Sequence, residues 1–146
     1  MKKIIILFLF GATLLLASDS IKVSDAYARA TPPNMPNSAA FMNLNNITDK
    51  NISLIKASSS LANKVELHTH DMKNGMMKMY EVEEILIKAN SNTDLKPGGY
   101  HIMLIGLNKS LNEGDLIDLS LEFSNGEIKN LELEVKSIKQ GMMKHH

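Results

Sequence analysis

The chain has 146 residues, enough for one domain, and its 16 Lys and Arg balance 16 Asp and Glu. That balance excludes the basic footprint of a protein that binds nucleic acid or an anionic membrane. The absence of cysteine excludes thiol redox chemistry, thiolate catalysis, a Cys-ligated blue-copper site and the lipid-modified thiol of a bacterial lipoprotein.

Residues 1–17 join a positive start (Lys2, Lys3) to a short apolar run, Ile4 to Leu16, with small residues at Ala17 and Ser18. This is the outline of a secretory signal peptide cut near residue 17, too short for a stable membrane span. Its removal takes two lysines and leaves a slightly acidic mature chain. The expected location is the bacterial periplasm, with no membrane insertion after cleavage. Without disulfides, stability there must come from the core alone.

Beyond the leader the chain reads as short strands separated by turn signals. IKVSDAYARA (21–30) reads as a first strand, and the three prolines of TPPNMPN break any regular element after it. SAAFMNLNN (38–46) and ISLIKASSS (52–60) are strand-like. KVELHTH (64–70) places Val65 and Leu67 on one face and Glu66, His68 and His70 on the other. EEILIKAN (83–90) is a further candidate strand, and LKPGGYHIMLIGL (95–107) is a turn followed by a strongly apolar strand. DLIDLSLEF (115–123) and IKNLELEVKSI (128–138) alternate with period two across SNGE, where Asn125-Gly126 signals a two-residue turn. Seven to nine strands at roughly ten-residue spacing predict an all-β domain over residues 18–138, an antiparallel Greek-key β-sandwich. KQGMMKHH closes the chain as a polar tail over 139–146.

The residues that carry chemistry are histidines and methionines. Thirteen positions, HTHDMKNGMMKMY (68–80), hold two histidines and four methionines around Asn74-Gly75. A type I′ turn at that pair would set Lys73 opposite Met76, Met72 opposite Met77, His70 opposite Met79 and His68 opposite Glu81. One face of the ribbon then carries His68, His70, Met72, Met77 and Met79, with Met79 diagonal to His68. In YHIMLIG, His101 and Met103 share a face. If the two faces meet, two imidazoles and two thioethers form one site. Thioethers are soft, neutral donors that suit Cu(I), whereas calcium and magnesium demand oxygens and zinc prefers thiolate, imidazole or carboxylate. Taken singly, Met42 and Met103 are more often packing residues, and spacing alone leaves His70, Met72, Met76 and Met77 as competing donors. No Ser-His-Asp set and no paired carboxylates stand out, so an enzyme is not expected.

The stretch from Val65 to Leu107 resembles the periplasmic copper chaperones of the PCu(A)C family, whose signature is His, ten residues, Met, twenty-one residues, His, one residue, Met. His68, Met79, His101 and Met103 match it by position. The flanking VELH, PGGYHIMLIGL and GD, and the opening DAYARATPPNMPNSAAFMNL, are similar to the family too, so the resemblance runs from about residue 21 to 138. It implies a cupredoxin-like fold, one Cu(I) held by those four residues, and delivery to the copper centres of haem–copper (cytochrome c) oxidases alongside a Sco-type partner. The alternative is a periplasmic copper-sequestering protein without a dedicated acceptor. The resemblance also marks Met142, Met143, His145 and His146 as candidates for a second copper, while His70 and Met77 are spare donors beside the first. The chain is expected to act as a monomer.

Overall fold

The computed structural model describes residues 19–137. The expected signal peptide at 1–17 and the tail donors Met142, Met143, His145 and His146 lie outside the described residues.

The described residues form ten strands: β1 (Ile21–Arg29), β2 (Ser38–Asn46), β3 (Ile52–Ser58), β4 (Ala62–Lys73), β5 (Met76–Glu81), β6 (Ile85–Ile87), β7 (Ser91–Leu95), β8 (His101–Leu107), β9 (Leu116–Phe123) and β10 (Ile128–Lys136). The all-β expectation holds. The strands follow one hydrogen-bonded path, β5-β4-β8-β2-β1-β10-β9-β3-β6, with β7 laid against the outer half of β2. Pairing is antiparallel except between β1 and β10, which run parallel from Tyr27↔Glu134 to Arg29↔Lys136. That parallel pair joins the two halves of the path, so the antiparallel expectation holds for every other ladder. The halves close on each other where β3 packs on β4 and β6 on β7.

The core between the layers follows from period-two alternation. Ile117, Leu119, Leu121 and Phe123 of β9 point inward beside Leu133 and Val135 of β10. Opposite them lie Ala40, Met42 and Leu44 of β2, Leu67 of β4, and Ile102 and Leu104 of β8. Burying a side chain of this size contributes about 1.5–3 kcal/mol before conformational entropy is counted. Met42 is a packing residue at 3% exposure.

Two local differences from the sequence reading have clear causes. β7 falls on residues 91–95, and the sequence predicts no element over 91–94; Ser91, Asn92 and Asp94 favour turns, and only pairing with Met42–Asn46 makes the stretch a strand. Asn125-Gly126 is not a two-residue turn. Gly126 N–H donates to Phe123 O (2.9 Å), Phe123 N–H donates to Glu127 O (2.9 Å), and Gly126 alone has positive φ (88°). This is the three-residue loop in which a type I turn ends in a left-handed glycine.

Candidate metal centre

The other Asn-Gly pair behaves as the sequence predicts. Asn74 (φ 54°) and Gly75 (φ 75°) are both left-handed, the requirement of a type I′ turn. The register that follows is Lys73↔Met76, Met72↔Met77, His70↔Met79 and His68↔Glu81, as read from the sequence. β4 then pairs along its other edge with β8, setting His68 opposite His101 and Glu66 opposite Met103. The histidines and methionines of 68–79 and 101–103 therefore do not meet as two opposed faces. All of them but Met76, which shares the other face with Lys73, lie on one continuous outer face, because β4 and β8 are neighbours in the same sheet.

On that face the donors converge around His101. Its ring lies 5.7 Å from that of His68 and 5.2 Å from that of His70, centroid to centroid. Its Nδ1–H donates to the Gly99 carbonyl (3.0 Å), which leaves the Nε2 lone pair facing the Met79 sulfur at 3.1 Å. Burial lowers the His101 pKa below its ordinary 6.5, helped by the nearby His70, His68 and Arg29 charges, and outweighs the Gly99 carbonyl that favours the cation. A neutral imidazole and a thioether, both Lewis bases, thus point at one spot.

His68 is prepared differently. Its Nε2 lies 2.7 Å from Glu66 Oε2, and the other Glu66 oxygen meets Lys64 Nζ at 2.7 Å. Lys64, then His68, hold the Glu66 carboxyl ionised, with its pKa lowered to about 2. An ionised carboxylate accepts, so the His68 proton sits on Nε2 and Nδ1 carries the free lone pair. That Nδ1 is buried and has no hydrogen-bond partner among the described residues. A buried acceptor left unmatched costs free energy, and an ion that took the lone pair would remove the cost. Glu66 is the functional side chain that the sequence reading placed on the right face without a role. The legible signal is its position two residues before a histidine in a strand. Glu66, His68 and Glu81 also bring ligand atoms within 4.8 Å of one another, but Lys64 already occupies one Glu66 oxygen.

A cavity of about 570 Å³ opens over the site, walled by Arg29, Met35, Phe41, His70, Met79, His101 and Met103. Phe41 is buried on this outer face, between Tyr27 (ring centroids 5.3 Å) and His101 (6.2 Å), with the Arg29 guanidinium above its ring. Of the four signature residues, Met79, His101 and Met103 line the cavity, whereas His68 lies beside His101 and turns toward Glu66. His70, expected as a spare donor, does line it. Met77 stays on the exposed hairpin, 61% accessible.

Residues 21–135 match the family described as LpqE-like. The chain belongs to the LpqE-like family. Among its relatives, Lxx21020 of Leifsonia xyli subsp. xyli is 36% identical over 120 residues, 82% of this chain and 71% of that protein. DR1885 of Deinococcus radiodurans, solved in solution with Cu(I), is 31% identical; the match covers 83% of each chain, with a TM-score of 0.62. The copper-bound PCuAC domain from PmoF2 has the same fold at 20% identity (TM-score 0.70, 81% of this chain and 93% of that domain). The PCu(A)C resemblance read from the residues and the cupredoxin-like fold are both borne out. This LpqE-like chain carries no cysteine to accept a lipid.

Proposed function

We propose that this LpqE-like chain is an exported copper chaperone that holds one Cu(I) through His68 Nδ1, Met79 Sδ, His101 Nε2 and Met103 Sδ. The observation that carries the reading is the convergence of His101 Nε2 and Met79 Sδ at 3.1 Å, beside the unmatched Nδ1 of His68. All four donors are neutral, so a monovalent ion leaves no buried negative charge among them when it departs. The copper named in the solved structures of DR1885 and the PmoF2 domain supports the same ion here.

The cargo is exchanged by ligand replacement. The face is open to solvent, with Met79 43% accessible, so an acceptor's sulfur or imidazole replaces one donor at a time. His68 and His101 are held from behind by Glu66 and the Gly99 carbonyl; their donor atoms are set before the ion arrives and stay set after it leaves. The apolar start of the chain supports export to the periplasm, and the PCu(A)C-like signature of His68, Met79, His101 and Met103 supports the copper centres of a haem–copper oxidase as the destination, alongside a Sco-type protein.

Anaerobic Cu(I) titration with X-ray absorption tests the site. Wild type should show one tight equivalent with nitrogen and sulfur neighbours, and His101→Ala with Met103→Ala should lose it without unfolding. Retained tight binding in that variant would sink the ligand assignment. Deletion of the gene tests the destination: oxidase activity should fall at low copper, whereas sensitivity to added copper alone would favour sequestration.

A further inference from the structure

We propose a second, weaker Cu(I) station on the β4–β5 hairpin, formed by Met72 and Met77 with His70 as the third donor, through which the ion reaches and leaves the main site. The proposal rests on the copper reading above and adds a route to it.

The placement follows from register. Outward from a two-residue turn, hydrogen-bonded and non-hydrogen-bonded pairs alternate, so Lys73↔Met76 is hydrogen-bonded and Met72↔Met77 is not. The same alternation makes His70↔Met79 a non-hydrogen-bonded pair. Such pairs bring side chains closest, with Cα atoms about 4.5 Å apart. Two thioethers thus stand side by side, and one step along the ribbon, about 7 Å, stand His70 and Met79. His70 faces the Gly99 carbonyl through Nδ1 at 3.4 Å, which turns its Nε2 away from that contact, and its ring is 5.2 Å from that of His101. The donors form a track: a methionine pair, a histidine–methionine pair, then His101.

Packing does not account for the outer pair. Met72 is 64% and Met77 61% exposed, and neither belongs to the core nor to the residues packed against it. The charges are sorted as well. From His70 to Met79 the donor face is uncharged, while Asp71, Lys73 and Lys78 lie on the opposite face of the ribbon. A row of neutral soft donors lets a monovalent ion step from one pair to the next without meeting a fixed charge that would trap or repel it. Met76, on the charged face and equally exposed at 64%, is the internal control.

The test is an anaerobic Cu(I) titration of the full mature chain against a competing chelator, with the methionine methyl groups followed by NMR. Met72→Leu with Met77→Leu should keep the tight equivalent at unchanged affinity and lose one weak equivalent, whatever the C-terminal tail binds. It should also load and release copper several-fold more slowly. Met76→Leu should behave as wild type. His101→Ala with Met103→Ala should lose the tight equivalent while the Met72 and Met77 methyl signals still shift with added Cu(I). A Met72→Leu/Met77→Leu chain that matches wild type in stoichiometry and in rate overturns the station and leaves the main site standing. Absence of the tight equivalent from wild type would instead overturn the chaperone reading.

Discussion

The β9–β10 and β4–β5 hairpins are both closed at an Asn-Gly pair, and they use it in opposite ways. The first turns through Ser124, Asn125 and Gly126 and sends Ile117, Leu119, Leu121, Phe123, Leu133 and Val135 into the core. The second turns through Asn74 and Gly75 alone, and every residue of its β5 strand is exposed. A hairpin with a buried face is held by burial, and its turn only has to permit the register. A hairpin whose outer strand buries nothing is held there by the turn and by its one neighbouring strand. The outer strand of the donor-bearing hairpin therefore adds little to the stability of the domain, and it is free to open to solvent and to partners.

The difference predicts a ranking. Phe123→Ala in β9 should cost about 3–5 kcal/mol, read by urea denaturation of the copper-free chain. Met76→Ala in β5 should change stability by less than about 0.5 kcal/mol. Similar losses at both would remove the contrast between the hairpins. Next come the glycines, since a Cβ in the left-handed region costs roughly 1–2 kcal/mol wherever it is placed. Gly126→Ala should lower the melting temperature and leave Cu(I) affinity unchanged. Gly75→Ala should do the reverse, weakening Cu(I) binding through a loosened Met79 register with little change in melting temperature, because the tip opens without unfolding the core.

The smallest effect is that of pH. The folded pKa of His101 lies below 6.5 while the unfolded chain titrates near that value, so its contribution to stability is present above 6.5 and is lost as pH falls through the folded pKa. Protons should compete for Nε2 over the same lower range. The part of the Cu(I) affinity that depends on His101 should therefore be lost only beneath about pH 6.5, as chelator titrations of wild type and His101→Ala at several pH values would show. A His101 ring signal whose NMR titration midpoint lay at or above 6.5 would contradict its depressed pKa.

Much of this was legible before the fold. Asn74-Gly75 fixed the hairpin register to the residue, because a type I′ turn admits one pairing and side chains alternate with period two. The spacing of His101 and Met103 gave their shared face for the same reason. What could not be read depends on rotation about side-chain bonds or on partners far along the chain. Nothing local shows that His68 would turn to Glu66 while His70 faced the cavity. Ser91–Leu95 carries no strand pattern of its own, and becomes β7 only because β2 offers it a free edge. The two Asn-Gly pairs look alike in sequence; Glu127 pairing back to Phe123 makes the second a longer loop.

Met79 belongs to β5, yet its sulfur meets His101 of β8, so the side chain passes over the whole width of β4. An ion held there would rivet three successive strands, β5, β4 and β8, at one end of the sheet. Each tenfold of free copper above its dissociation constant would add about 1.4 kcal/mol to the folded form. Loaded and empty carriers would then differ in lifetime as well as in cargo. The empty hairpin would be the first place a protease could take hold, and a cell short of copper would clear idle carrier faster than carrier in use.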